Sequence, residues 1–147
     1  MKQRVVPVAI LIMVVAITVS AGEDRRYVRP SLPDADGPPF SGAVRVGDTL
    51  HLSGDIGLDE NQKVPDTAKA EAKLLLDGIK ATLEAAGFTM DDLVTVTIYC
   101  SDVKHYADFN EVYRTYFTKE FPARAFVGSG TLLFDARFEL QAIAVKR

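Results

Sequence analysis

Few groups in this chain are able to do chemistry, and most lack partners at a useful spacing. His51 and His105 are the only histidines. They fall on different elements, and neither stands at a helical or hairpin ligand spacing from the other, so no metal site is expected. A Ser-His-Asp arrangement has equally little to build on. Cys100, the single cysteine, sits at a strand end and reads as either a modest nucleophile or a packed thiol. Gly128-Ser129-Gly130-Thr131 has neither the lysine nor the helix start of a phosphate loop, and Asp91-Asp92 reads as a turn before a strand. Two residues remain. Arg124 follows Pro122 at the start of a short strand, and Glu139 interrupts an otherwise apolar final strand. Taken singly, Arg124 reads as a surface strand residue and Glu139 as a solvated carboxylate.

The elements that must position these residues are legible from pattern. Ser41 to Val46 and Thr49 to Ile56 read as two strands joined by a tight turn at Gly47-Asp48. Pro65-Asp66-Thr67 opens a helix to Ala86 that Gly87 caps, with Ala72, Leu75, Leu76, Ile79 and Leu83 on its buried face. Val94 to Cys100 is a strand. Asp102 to Phe117 is a second helix, buried along Phe109, Val112, Tyr113, Tyr116 and Phe117. Arg124 to Ser129 and Ala136 to Lys146 are the last two strands. The order ββαβαββ predicts an α+β domain with both helices on one face of a sheet. Strand alternation places Leu50, Leu52, Val94, Val96, Ile98, Phe138, Leu140 and Ala142 beneath the helices. The opposite face carries Thr49, His51, Ser53, Thr95, Thr97, Tyr99, Arg137, Glu139 and Gln141, with Ile143 and Val145 further along. It reads either as a solvated face or as one shared between copies of the subunit.

The 147 residues suit one domain, and 48% hydrophobic content supports a core without disulfide staples. Residues 1–21 stand apart. Lys2 and Arg4 precede an apolar run from Val5 to Val19, then small residues, then the charged stretch Glu23-Asp24-Arg25-Arg26, which is the grammar of a cleaved signal peptide. The run is shorter than the roughly 20 residues that span a bilayer, so export without a stable membrane anchor is expected, with cleavage after Ala21 and a periplasmic or secreted product. Residues 22–39, rich in proline, form an extended lead-in that packs loosely, and residues 40–147 form the domain. Removing Lys2 and Arg4 takes the formal charge from −3 to −5, a poor footing for nucleic-acid binding.

From Phe40 to Val145 the chain resembles the reactive intermediate deaminase family, also called RidA or YjgF/YER057c/UK114. The resemblance is carried by Phe40-Ser41-Gly42-Ala43-Val44-Arg45-Val46-Gly47-Asp48, Leu52-Ser53-Gly54, Phe109-Asn110-Glu111-Val112-Tyr113, Pro122-Ala123-Arg124 and Phe138-Glu139-Leu140-Gln141-Ala142-Ile143-Ala144-Val145. It implies a chorismate-mutase-like α+β fold, a homotrimer with ligand clefts between subunits, no cofactor, and hydrolysis of enamine/imine intermediates such as 2-iminopropanoate to a 2-oxo acid and ammonia. By the same resemblance Arg124 holds the substrate carboxylate and Glu139 helps position water, while Ser53, Gly54, Asn110, Phe40 and Phe126 line the pocket. A non-catalytic small-carboxylate binding protein using the same cleft is the alternative. The chain departs from the family pattern at Phe40 (usually tyrosine), Phe126 (often cysteine), Asp55 and Gly57 (within a segment that commonly reads Ser-Gly-Gln-Ile-Pro) and Leu133 (usually proline).

Intact-mass measurement on fractionated cells checks the export expectation. The mature chain should begin at Gly22 and be soluble outside the cytoplasm; a full-length product retained on the membrane would establish an anchor instead.

Overall fold

Thr67 stands where the first helix is expected to begin, and its hydroxyl accepts a hydrogen bond from the Ala70 amide at 3.2 Å, satisfying a donor that the helix itself leaves unpaired. The helix that follows, α1 (Ala68–Ala85), buries the expected face of Ala72, Leu75, Leu76, Ile79 and Leu83. It ends at Gly87, whose φ of 80° reverses the chain. The structure, a computed structural model, describes residues 24–29 and 36–146. The expected signal peptide and its cleavage point lie outside the described residues, as does part of the lead-in. No helix among the described residues is long and apolar enough to cross a membrane.

Six strands form one mixed sheet: β1 (Arg25–Val28), β2 (Ala43–Val46), β3 (Thr49–Ile56), β4 (Leu93–Cys100), β5 (Ala123–Gly128) and β6 (Phe138–Val145). Their spatial order is β1-β2-β3-β6-β4-β5, with every ladder antiparallel except the parallel β4–β5 pair. Both α1 and the shorter α2 (Tyr106–Tyr113) pack on one face, over a core that includes Leu50, Val96, Ile98, Phe109, Phe138 and Leu140. This is the expected two-helix α+β layer, with one strand more than ββαβαββ. Strand β1 lies inside the stretch expected to be a loose lead-in. Its Arg-Arg-Tyr is exposed, so main-chain pairing with β2 defines it, and hydrophobic alternation carries no trace of it.

Three local expectations are corrected. A register shift between Leu93 and Thr95 turns Leu93 into the core and leaves Val94 43% exposed, so Val94 does not floor the helices. The second helix is α2 flanked by 3-10 turns at Val103–His105 and Arg114–Tyr116. His105 is half-buried, with its ring edge-on to Phe138 at 6.1 Å.

The third correction concerns Arg137, which leaves the polar face and reaches back to α1. Glu71, fully buried, accepts hydrogen bonds from the Arg137 amide at 2.6 Å, the Phe138 amide at 3.0 Å and the Arg137 guanidinium at 2.8 Å. Arg137 also donates to the Pro65 and Asp66 carbonyls. A charge can be buried only when its lone pairs are met in this way. The helix approaches so closely that a Cβ at Gly57 would lie 2.2 Å from the Glu71 carbonyl oxygen.

Two substitutions test this joint. Glu71→Ala should cost about 3–5 kcal/mol in chemical denaturation, the typical penalty for stripping one partner from a buried ion pair. Gly57→Ala should also destabilise, because backbone rather than a flexible side chain must yield. A loss below about 1 kcal/mol for Glu71→Ala would show that the joint does not hold the fold.

Candidate functional site

Arg124 and Phe126 are placed by the parallel β4–β5 ladder, where they pair with Val96 and Ile98. Paired strand residues share a face, so both side chains project to the helix side at the sheet edge. There Arg124 meets aromatic rings. Its guanidinium carbon lies 4.8 Å from the centroid of Tyr113, 5.7 Å from Tyr106 and 5.9 Å from Phe126. These contacts orient the cation without neutralising it. Arg124 makes no ion pair with any carboxylate among the described residues. With Asn110, Tyr113, Arg114, Phe121 and Pro122 it lines a cavity of about 170 Å³.

The helix supplies this cavity with a polar stripe. Tyr106, Asn110 and Arg114 recur every fourth residue, which sets them on one side of α2 and its trailing turn. The Asn110 amide and then the Arg124 guanidinium hold the Tyr106 hydroxyl below its ordinary pKa. Burial instead pushes the Tyr113 hydroxyl up to about 12, against the pull of Arg124. That hydroxyl is buried without a hydrogen-bond partner among the described residues.

The other expected pocket residues lie elsewhere. Ser53 and Gly54 fall at a bulge in β3 between Leu52 and Asp55. The Ser53 hydroxyl is committed to the Ser41 carbonyl at 2.6 Å. Phe40, Ser53 and Gly54 line a cavity of about 150 Å³ with Arg29, Asp55 and Thr82. Arg29 donates to the Thr82 hydroxyl and stands 3.9 Å from Asp55. Burial raises the Asp55 pKa, opposed by the Ile56 amide and Arg29. Glu139 pairs with Tyr99 across the β4–β6 ladder, on the face away from the helices. Its carboxylate rests against Gly54, where a Cβ would lie 2.1 Å from Oε1; only glycine leaves that space.

The seven expected site residues therefore fall into two separate groups. Arg124, Phe126 and Asn110 come together at the β5 edge. Ser53, Gly54, Phe40 and Glu139 gather around the end of β3. Three strand spacings, about 14 Å, separate β5 from β3, and Arg124 and Glu139 project from opposite faces. One chain does not bring them to one ligand. Sequence reasoning missed Tyr106 and Arg114 beside Arg124, although their four-residue spacing about Asn110 was available as a signal. It also missed Arg29, which no periodicity singles out. Cys100 is buried and donates to the Asp102 carbonyl at 3.0 Å; burial raises its pKa, the packed-thiol alternative.

Residues 32–146 match the sequence model of the family described as Endoribonuclease L-PSP. A RutC family protein of Saccharolobus solfataricus is 40% identical over 110 residues, covering 74% of this chain and 87% of its own. The 2-iminobutanoate/2-iminopropanoate deaminase of Mus musculus is 39% identical over 110 residues, covering 74% and 82%. The crystal structure of the YjgF gene product of E. coli superposes with a TM-score of 0.73 at 34% identity, covering 83% of this chain and all of that one. The extent of the family match, the identity to these relatives and the shared two-helix, mixed-sheet architecture agree: the chain belongs to the RidA/YjgF family.

Proposed function

We propose that the protein hydrolyses enamine/imine intermediates such as 2-iminopropanoate to 2-oxo acids and ammonia, in a cleft completed by a second copy of the chain within a homotrimer. The observation that carries this reading is Arg124: a guanidinium stacked on Tyr113, without a carboxylate partner among the described residues, at the wall of a small cavity. A planar cation held in this way is ready to grip a carboxylate by two parallel hydrogen bonds, which fixes the direction of the adjoining imine carbon. The separation of Arg124 from Glu139 supports assembly, since a neighbouring subunit supplies its own Glu139, Ser53 and Gly54. The half-exposed face bearing Thr97, Tyr99, Gln141 and Ile143 is the surface offered to that neighbour.

The chemistry asked of these groups is small. Water adds through oxygen to the imine carbon while Glu139 takes one of its protons. Glu139 passes that proton to the imine nitrogen, giving the neutral carbinolamine; its hydroxyl proton then also moves to nitrogen as the carbon–nitrogen bond breaks, so ammonia leaves and the carbonyl forms. Imines react readily with water, so positioning supplies most of what is needed. A binding protein for small carboxylates is the second reading. It is favoured by the same separation, because the Arg124 cavity is a complete carboxylate grip even without Glu139. We also propose export of the mature chain, on the character of residues 1–21 alone.

A coupled assay separates the two readings: an amino-acid oxidase generates imines, semicarbazide competes for them, and the purified protein should divert them to 2-oxo acid. Arg124→Ala should remove both turnover and 2-oxo acid binding, a loss of about 2–5 kcal/mol, with little rescue by Arg124→Lys. Glu139→Gln should slow hydrolysis while 2-oxo acid still binds. Binding through Arg124 with no diversion across a range of imines would leave the binding protein.

Assembly and the glycine seat have their own checks. Light scattering should report a trimer at micromolar concentration, and a monomer would remove the shared cleft. Gly54→Ala should keep the fold, because the atom it meets is the tip of a side chain, yet slow hydrolysis by displacing the Glu139 carboxylate. Unchanged turnover in that variant would take Glu139 out of the mechanism.

A further inference from the structure

The Arg124 cavity holds more positive charge than one carboxylate requires. Arg114 lines it as well, one helical turn beyond Asn110. Its guanidinium carbon stacks 5.8 Å from the centroid of Phe121, in the same aromatic cluster that carries Arg124: Phe121 lies 6.1 Å from Tyr113, ring to ring. Like Arg124, Arg114 makes no ion pair with a carboxylate among the described residues, and the two acids of its own helix are engaged elsewhere. Glu111 pairs with Lys69 at 2.7 Å, and Asp108 faces the same lysine at 4.0 Å. In a chain of net charge −3, two uncompensated guanidinium groups on one small cavity are a departure from the average that calls for an anion. A third group points the same way. Tyr113 is 3% exposed, lines the cavity, and has a hydroxyl without a partner; a buried hydroxyl in this state is completed by a ligand or by water.

We infer that this cavity selects imines and 2-oxo acids carrying a second, distal carboxylate, with Arg124 on the first carboxylate and Arg114 on the second. The inference rests on the imine-deaminase reading for the role of Arg124 and adds Arg114 as its specificity-determining residue. The span is suitable. The rings that carry the two guanidinium groups, Tyr113 under Arg124 and Phe121 under Arg114, lie 6.1 Å apart, a separation of the order that the end carboxylates of a five-carbon diacid can bridge. The walls between the two cations are Tyr113, Phe121 and Pro122, apolar surface matching a short methylene chain. A cation already stacked on a ring binds without first breaking an ion pair.

Calorimetric titration of the purified protein with 2-oxoglutarate and with 2-oxopentanoate tests this, since the two share a five-carbon chain and differ in the distal carboxylate. The diacid should bind about tenfold more tightly, the value of one added charge-assisted hydrogen bond. Arg114→Gln should bring the ratio of the two affinities close to one, and Arg114→Lys should retain part of the preference. The ratio is internal to each variant, so a general loss of stability does not imitate the result. Equal affinities in the unsubstituted protein, with both lost in Arg124→Ala, would overturn the diacid preference and leave the deaminase reading standing. A preference that survives Arg114→Gln would also overturn it. Failure of both compounds to bind would overturn the inference and the Arg124 reading together.

Discussion

A buried carboxylate on the first long helix fixes where the last strand begins. Glu71 gathers two consecutive amides and a guanidinium at the entry to β6, and β6 is the strand on which β3 and β4 both pair. Its anchoring therefore sets the register on either side of the sheet's middle. Glu139 follows Phe138 directly, so the position of its carboxylate against Gly54 is inherited from a contact made on the opposite face. Arg137 doubles the joint by reaching the carbonyls of Pro65 and Asp66, just ahead of the helix cap. Helix start, strand start and candidate carboxylate are one mechanical unit.

Strand parity imposes the second organising constraint. A residue and its ladder partner share a face, so Arg124 beside Val96 and Glu139 beside Tyr99 are committed to opposite sides. No side-chain rotation within one chain undoes that commitment. On the proposed reading the candidate site is a matter of association as much as of folding. Each chain presents a cationic, aromatic-walled half at the β5 edge and a carboxylate-and-glycine half near the end of β3.

The sequence made much of this legible, and the exceptions have physical causes. Thr67 and Gly87 bracket α1 because capping chemistry depends on side chains within one turn of the helix ends. The buried face of α1 follows because helical period is written in consecutive residues. Val94 escaped because a register shift reverses parity without altering composition. Strand β1 escaped because an edge strand needs only its main chain, and Arg-Arg-Tyr-Val shows no buried alternation. Arg137 was placed on the polar face by counting, whereas a partner 66 residues away pulls it off. At the site, Arg124, Asn110 and Phe126 come together; strand alternation already set Glu139 on the face away from the helices, but no local pattern reports that Arg124 projects to the helix side.

The central position of β6 has a consequence for how the molecule comes into being. The last strand lies fourth from the β1 end and third from the β5 end in the order β1-β2-β3-β6-β4-β5. Without it, β1 to β3 and β4 to β5 are two unconnected ribbons, each with a long unpaired edge. Their joining requires contacts between segments far apart in sequence, the slow kind of contact in folding. A chain still emerging from the ribosome has no sheet to complete until Phe138 to Val145 is free. Synthesis must therefore pass Val145 before the sheet can close, and until then the open edges of β3 and β4 are what a chaperone would meet.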